Sequence, residues 1–264
     1  MSKFKILAEK ILGKIQRYFQ RKKYIRGQKK VESLLVKSGG MVYSGPFATM
    51  PIPPNILEAH ERYLIVGSYE ECIHSEIYKL IVRQPKCGVI IGAHKGYYVS
   101  GLLYTIQDCF ISAFESSESL HLNLKSWAHQ INAVDRLSIN GYADMQALKS
   151  IAYQPDFLII DCEGGEDELL QPALIPWLSA AFIICELHDF YKPGLLSRLI
   201  ARFSKTHDIK IIESKEVDIL NYAILKDFSK LEAERCVAEE RWIYSENPSG
   251  RILTSGRFMV ADPK

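Results

Sequence analysis

The sequence predicts an α/β protein built on a doubly wound, mostly parallel sheet. Three observations carry that expectation. Cys87 to Glu115 reads as a buried strand, a glycine turn, a helix and a second buried strand, a βαβ unit whose crossover is right-handed. The alternation of apolar runs and helix-period segments then continues down the chain. The apolar runs end, one after another, in polar residues: Gly92, Glu115, Asp161 with Glu163, and Glu186 with His188. In an open parallel sheet, ligands bind at the carboxyl ends of the strands, beside the topological switch point.

The 264 residues suit one large domain, or one domain with an extension. A hydrophobic content of 47% and a charged content of 24% are ordinary globular values and allow a sizeable core. No apolar run approaches the ~18 residues of a membrane span. The start lacks the continuous apolar region of a secretory signal. Six cysteines (Cys72, Cys87, Cys109, Cys162, Cys185 and Cys236) stand without any C-x-x-C pair. They read as reduced thiols of a cytoplasmic protein, so neither a metal site nor a disulfide is expected.

Residues 1–38 are the first of three expected segments. They hold 12 Lys/Arg against Glu9 and Glu32, whereas the rest of the chain is acidic on balance. Phe4, Leu7, Ile11, Ile15, Tyr18 and Phe19 recur every three or four residues, with Lys3, Lys10, Lys14, Arg17 and Arg21 between them. This is a basic amphipathic helix. It suits peripheral contact with an anionic membrane surface. Its apolar face equally suits packing on its own domain or on a second copy in a homodimer. Nothing else resembles a nucleic-acid module, so no nucleic-acid partner is expected.

Residues 39–86 form an approach segment and candidate lid, beginning at the Gly39-Gly40 boundary. Met41 to Phe47 looks like a short strand and turn, and Pro51, Pro53 and Pro54 forbid regular structure. Ser68 and Glu71 fit a capping box at the start of a helix. Tyr69 and Glu70 are not needed for that cap. They either reach a ligand or lie on the surface.

Residues 87–264 form the main domain. Gly88 to Ile91 is the first strand, Tyr97 to Ile106 a helix, and Cys109 to Phe114 the second strand. Gly92 and Gly96 permit a sharp turn and a close backbone approach. Glu115 follows Gly92 by 23 residues, where such folds hold ribose, because an ionised carboxylate accepts from both hydroxyls. The turn is G-x-x-x-G and lacks the G-x-G-x-x-G that seats a pyrophosphate. A nucleoside ligand without phosphates fits it better, and an NAD-dependent oxidoreductase is disfavoured. The same glycines also fit an ordinary crossover turn.

Beyond Glu115, Leu120 to Ile131 is a helix and Arg136 to Ile139 a strand. Asp144 caps the next helix, since its short carboxylate accepts from first-turn amides. Asp156 to Asp161 is a buried strand, followed by a helix with Glu166, Asp167 and Glu168 in its first turn. The helix dipole accounts for that trio. Ala181 to His188 is another buried strand. Leu195 to Phe203 is a helix, Ile209 to Ile212 a strand, then comes an irregular charged stretch, and Arg257 to Ala261 is the last strand.

GAHKGYY, the strand-ending Glu115, LIIDCEGGEDELL and IICELH resemble the FkbM-type methyltransferases and their Rossmann-like, S-adenosylmethionine-dependent relatives. SGPFATM and GSYEEC are similar to segments that precede the glycine motif in one branch of that family. The resemblance covers about residues 41–190. It implies S-adenosylmethionine as cofactor and a C-terminal antiparallel hairpin in the sheet. It implies that Gly92, Ala93, His94 and Gly96 surround the methionine part and that Glu115 holds the ribose with Ser116 beside it. It further implies that Ala143 and Asp144 edge the adenine, that Glu70 contacts the methionine end, and that Asp161 and Glu163 face the methyl group and acceptor. Two positions depart from the family pattern. Ile90 stands where an acidic or polar residue is usual, and His94 where Asn, Gly or Ala is usual.

The expected activity is O-methylation of a hydroxyl on a sugar, glycan or other polar small molecule, the acceptor class being implied by the resemblance. Alignment of acceptor, methyl and sulfur is required, together with removal of a proton. His188 is the first candidate base, because histidine titrates near neutral pH. Glu163 and Glu186 are the alternatives. Asp161, Glu163, Glu186 and His188 are also of types that bind a hard divalent ion, but their spacing prescribes no geometry. Ile90 and His94 support the opposing reading, a catalytically inactive relative that binds cofactor or partner as a scaffold.

Overall fold

The structure is a computed structural model and describes residues 27–54, 56–58, 60–189, 191–237 and 256–264. The basic amphipathic stretch from Phe4 to Phe19 lies outside the described residues. Residues 27–38 form helix α1, which ends in the Gly39-Gly40 turn. Next come α2 (Arg62–Val66) and α3 (His74–Val82). The sheet begins with β1 (Cys87–Ile91), α4 (Tyr97–Thr105), β2 (Phe110–Phe114), α5 (Glu118–Gln130) and β3 (Leu137–Asn140). It continues with α6 (Met145–Lys149), β4 (Phe157–Ile160), α7 (Glu166–Leu169), β5 (Phe182–Glu186) and α8 (Leu195–Phe203). It closes with β6 (His207–Glu213), α9 (Lys230–Val237) and β7 (Arg257–Pro263).

The seven strands stand in the order β3-β2-β1-β4-β5-β7-β6. β1 to β5 are parallel, and β7 runs antiparallel to both β5 and β6. This is a doubly wound, Rossmann-like sheet with the expected C-terminal hairpin. The chain winds outward from β1 to β3 and then returns to place β4 on the other side of β1. The β1/β4 boundary is therefore the switch point.

Both faces of the sheet are covered, which is why the strands read as continuous apolar runs rather than alternating ones. Val89, Leu158 and Ile183 stand in register and enter one core, with Leu148 of α6 and Leu199 of α8. Their neighbours Ile90, Ile159 and Ile184 enter the opposite core, with Leu102 of α4 and Trp127 of α5. Leu34 of α1, Val42, Phe47, Ile65 and Ile77 belong to that second core. The approach segment and α1 thus pack on the sheet, and Phe47 meets the edge of Tyr97 with ring centroids 5.3 Å apart.

Two expectations are corrected. The capping box does not form. Main-chain carbonyls of Ser68 and Glu70 already accept from Glu71 and Ile73 in a short 3-10 turn, and α3 starts only at His74. The Ser68 hydroxyl is left buried with no hydrogen-bond partner among the described residues, and Glu71 accepts from the Tyr222 hydroxyl at 2.7 Å. The charged stretch before β7 is not wholly irregular, because it holds α9. That helix buries Ala233, Cys236 and Val237, and its Glu232 pairs with Lys30 of α1 at 2.7 Å. Packing against α1 and α2 replaces the weak helix signal of a highly charged segment. The expected strand from Met41 to Phe47 is reduced to a single antiparallel bridge from Met41 to Pro51, and the other elements appear with ends shifted by a few residues. The six cysteines are free, and no described helix is long and apolar enough to cross a membrane.

Candidate active site

A cavity of about 1260 Å³ opens at the switch point. Typical small-ligand sites measure roughly 300–1,000 Å³, so this one has room for more than one ligand. Gly92 sits where the ends of β1 and β4 converge. Its φ is +77°, and a Cβ there would lie 1.6 Å from the Asp161 carbonyl oxygen. Only glycine fits this position.

The turn after β1 and the end of β2 are tied together. The N–H groups of Gly92 and Ala93 both donate to the Phe114 carbonyl at 3.0 Å. The His94 N–H donates to Glu115 Oε2 at 2.7 Å, and the Ser117 N–H donates to Glu115 Oε1 at 2.8 Å. His121 Nε2–H donates to the Glu115 carbonyl at 2.8 Å. An ionised carboxylate offers about four acceptor positions. The two main-chain bonds leave acceptor capacity on each oxygen, and Glu115 lines the cavity.

Gly92, Ala93, His94, Glu115, Ser116, Ala143, Asp161 and Glu70 all line this cavity, as do Glu163, Glu186 and His188. Glu70 is buried rather than on the surface, and it accepts from the Tyr98 hydroxyl at 2.5 Å. Two expected cofactor residues stand apart. Asp144 lines a separate cavity of about 440 Å³ and caps α6, accepting from the Ala147 N–H at 2.7 Å. Gly96 does not line the main cavity. It is the left-handed residue before α4 (φ +98°), and a Cβ there would lie 2.8 Å from Leu124. Ile90 is buried in the apolar core and gives the cavity no polar group. The His94 side chain is exposed, and it is the main chain of this residue that reaches Glu115.

Glu70, His94 and Glu163 have φ of 49°, 47° and 53°. Left-handed conformations cost a non-glycine residue of order 1 kcal/mol each. All three line the same cavity.

Lys95 was not anticipated. Its buried ammonium donates to Glu58 at 3.0 Å and Glu61 at 2.8 Å, fastening the approach segment to the turn. Burial opposes the charge, but hydrogen bonds to Glu61 and Glu58 outweigh it and raise the lysine pKa.

At the ends of β4 and β5, Asp161, Glu163 and Glu166 gather around the His188 ring. Nδ1 lies 2.6 Å from Glu166 Oε1, and Nε2 lies 3.4 Å from Glu163 and 3.6 Å from Asp161. Burial opposes a charge on His188, but the Glu166 hydrogen bond and the charges of Glu166, Asp161 and Glu163 overcome it and raise the pKa. Burial likewise opposes charge on Glu166, yet the His188 hydrogen bond prevails and lowers its pKa. The short contact therefore pairs the His188 ring, through Nδ1, with a buried carboxylate.

This corrects the helix-dipole reading of the acidic trio. Glu166 is 0% exposed and bonds His188. Asp167 pairs with Arg198 and Arg202, each at 2.8 Å, joining α7 to α8. Glu168 pairs with Lys192 at 2.8 Å on the surface. One motif holds three carboxylates with three different partners, and nothing local in the sequence separates them. Tyr191, stacked on His188 at 6.2 Å and 58% exposed, and Arg257 of β7, paired with Asp189, were likewise not legible, because their partners lie on other elements.

Asp161, Glu186 and His188 each bring one donor atom within 4.8 Å of the others.

No protein-family model matches the chain, and a search of curated proteins finds no match. A comparison with solved structures finds similar chains. An O-methyltransferase from Bacillus cereus in complex with SAH is 14% identical, with 88% of this chain and 89% of that one covered and a TM-score of 0.44. The C-terminal domain of precorrin-6Y C5,15-methyltransferase from Rhodobacter capsulatus is 13% identical, with 81% and 93% covered and a TM-score of 0.45. A SAH-bound methyltransferase from Podospora anserina is 15% identical, with 72% and 77% covered and a TM-score of 0.42.

Proposed function

We propose that this protein is an S-adenosylmethionine-dependent methyltransferase acting on a hydroxyl of a sugar, glycan or other polar small molecule. The observation that carries the reading is that Glu115, fixed to the glycine turn, and His188, held by Glu166, line one cavity at the switch point.

The residues fit the cofactor. Glu115 keeps acceptor capacity for the two ribose hydroxyls. The bare backbone at Gly92 lets a ligand lie against the turn, and Ala143 provides a small residue beside the adenine. Glu70 and Asp161 offer carboxylates to the ammonium of the methionine end, where Ile90 offers nothing. S-adenosylmethionine, when bound, supplies an activated methyl group.

The chain's own part is alignment and proton removal. With Nδ1–H directed at Glu166, Nε2 is the nitrogen that receives the acceptor proton. Asp161 and Glu163, 3.6 Å and 3.4 Å from Nε2, stabilise the imidazolium that results. Glu163 and Glu186 frame the acceptor. The basic stretch within residues 1–26 suits an anionic membrane surface, which would bring a lipid-linked or surface-polymer acceptor within reach.

The test is methyl transfer from labelled S-adenosylmethionine across a panel of polyhydroxylated acceptors, read by product mass. Transfer that is lost in His188→Gln supports the reading. Transfer unchanged in that variant removes His188 from its role.

A further inference from the structure

We propose that Glu166 is a positioning residue: with His188 it forms a buried carboxylate–imidazole dyad that fixes the proton on Nδ1 and presents Nε2 as the base. The inference rests on the methyltransferase reading for its purpose, though not for its geometry.

The first line of argument is cost. Glu166 is 0% exposed, and its Oε2 has no hydrogen-bond partner among the described residues. A buried, half-satisfied carboxylate destabilises a fold unless its partner repays it. The α7 helix spans only Glu166–Leu169 and is too short to justify such a group by its dipole. Asp167 and Glu168 in the same turn already serve the fold and the surface. What Glu166 does have is the 2.6 Å bond to His188 and a longer one, 3.2 Å, from the Gly164 N–H.

The second is placement. The loop from Asp161 to Glu166 wraps one ring, with Glu166 at Nδ1 and Asp161 and Glu163 at Nε2. The two nitrogens therefore see different surroundings, one a tight buried bond and the other a looser, cavity-lining pair of carboxylates. That asymmetry is what sets a tautomer. Gly164, at φ +106°, lets the loop turn between Glu163 and Glu166. Among the described residues, the groups at the His188 ring include these three carboxylates, Glu186 on its own strand and the Tyr191 ring.

The experiment is nuclear magnetic resonance of ¹⁵N-histidine-labelled full-length protein over pH 5–9, with His188 assigned by its loss in His188→Gln. Wild type should show neutral His188 as the Nδ1–H tautomer. Glu166→Gln should lower the titration midpoint by at least one pH unit, and Glu166→Asp should restore at least half of that shift. The Nε2–H tautomer in wild type would overturn the proposal, whether or not either variant folds. An unchanged midpoint in a folded Glu166→Gln protein would also overturn it. Calorimetry with S-adenosylhomocysteine on the same wild-type sample separates the two readings. A dyad that behaves as described in a protein that binds no adenosyl ligand would retire the methyltransferase function and leave the dyad standing.

Discussion

Glu115 accepts the main-chain N–H of His94 at 2.7 Å, so the carboxylate ending β2 is fixed to the turn ending β1. The two are 21 residues apart in the chain and belong to neighbouring strands. Because the donor is backbone, the bond survives whatever side chain stands at position 94. An unusual residue there alters the rim of the cavity without releasing Glu115.

The convergence of β1 and β4 makes Gly92→Ala a severe change. The new Cβ would meet the Asp161 carbonyl at 1.6 Å, at a φ of +77°. A loss of at least ~3 kcal/mol is expected, through combined steric and backbone strain. Urea unfolding should show a lower midpoint, and an unchanged midpoint would mean that the strand ends are not so close.

The pH dependence follows from His188. Its folded pKa lies above the ordinary 6.5, despite burial, because of Glu166 and the neighbouring Asp161 and Glu163. As a base it must be neutral, so the methyl-transfer rate should rise with pH through a midpoint above 6.5. The stability term runs the other way. A raised histidine pKa contributes stability fully below about pH 6.5, and that contribution fades as pH rises through the folded value. A rate limb at or below 6.5 would contradict the assignment.

Lys95→Met tests the fastening of the approach segment. It leaves Glu61, 2% exposed, without its cation. Removing one member of a buried pair costs about 3 kcal/mol. The expected result is a lower thermal midpoint, with faster proteolysis within residues 51–62. Wild-type behaviour on both counts would show that the ion pair holds nothing in place.

Removal of residues 1–26 tests the proposed membrane contact. Val31 and Leu34 of α1 stay in the core, so the remainder should fold. Sedimentation with vesicles rich in phosphatidylserine should fall at least tenfold. Binding that persists unchanged would assign the basic stretch to another role.

The sheet was legible because its strands are buried on both faces, and runs such as Phe157 to Ile160 have no other use. Glu115 was legible because the strand, turn, helix and strand fix its place without reference to anything distant. Glu166 was not. A glutamate in the first turn of a helix has a sufficient local explanation, and only the folding of β5 beside β4 brings His188 against it. Ser68 and Glu71 failed for the opposite reason. Their spacing matches a capping box, but the main-chain carbonyls of Tyr63 and Ser68 had already taken the Ser68 and Glu71 amides. The α9 helix escaped because its stability comes from contact with α1 and α2 rather than from its own charged sequence.

The most direct test of the central claim is isothermal titration of wild type and Glu115→Ala with S-adenosylhomocysteine, with NAD as control. Glu115 fixes the ribose in this account, so wild type should bind the adenosyl ligand and ignore NAD, and the variant should lose at least tenfold in affinity while remaining folded. A well-folded wild type that binds no adenosyl compound, or a Glu115→Ala protein that binds as tightly as wild type, would contradict it.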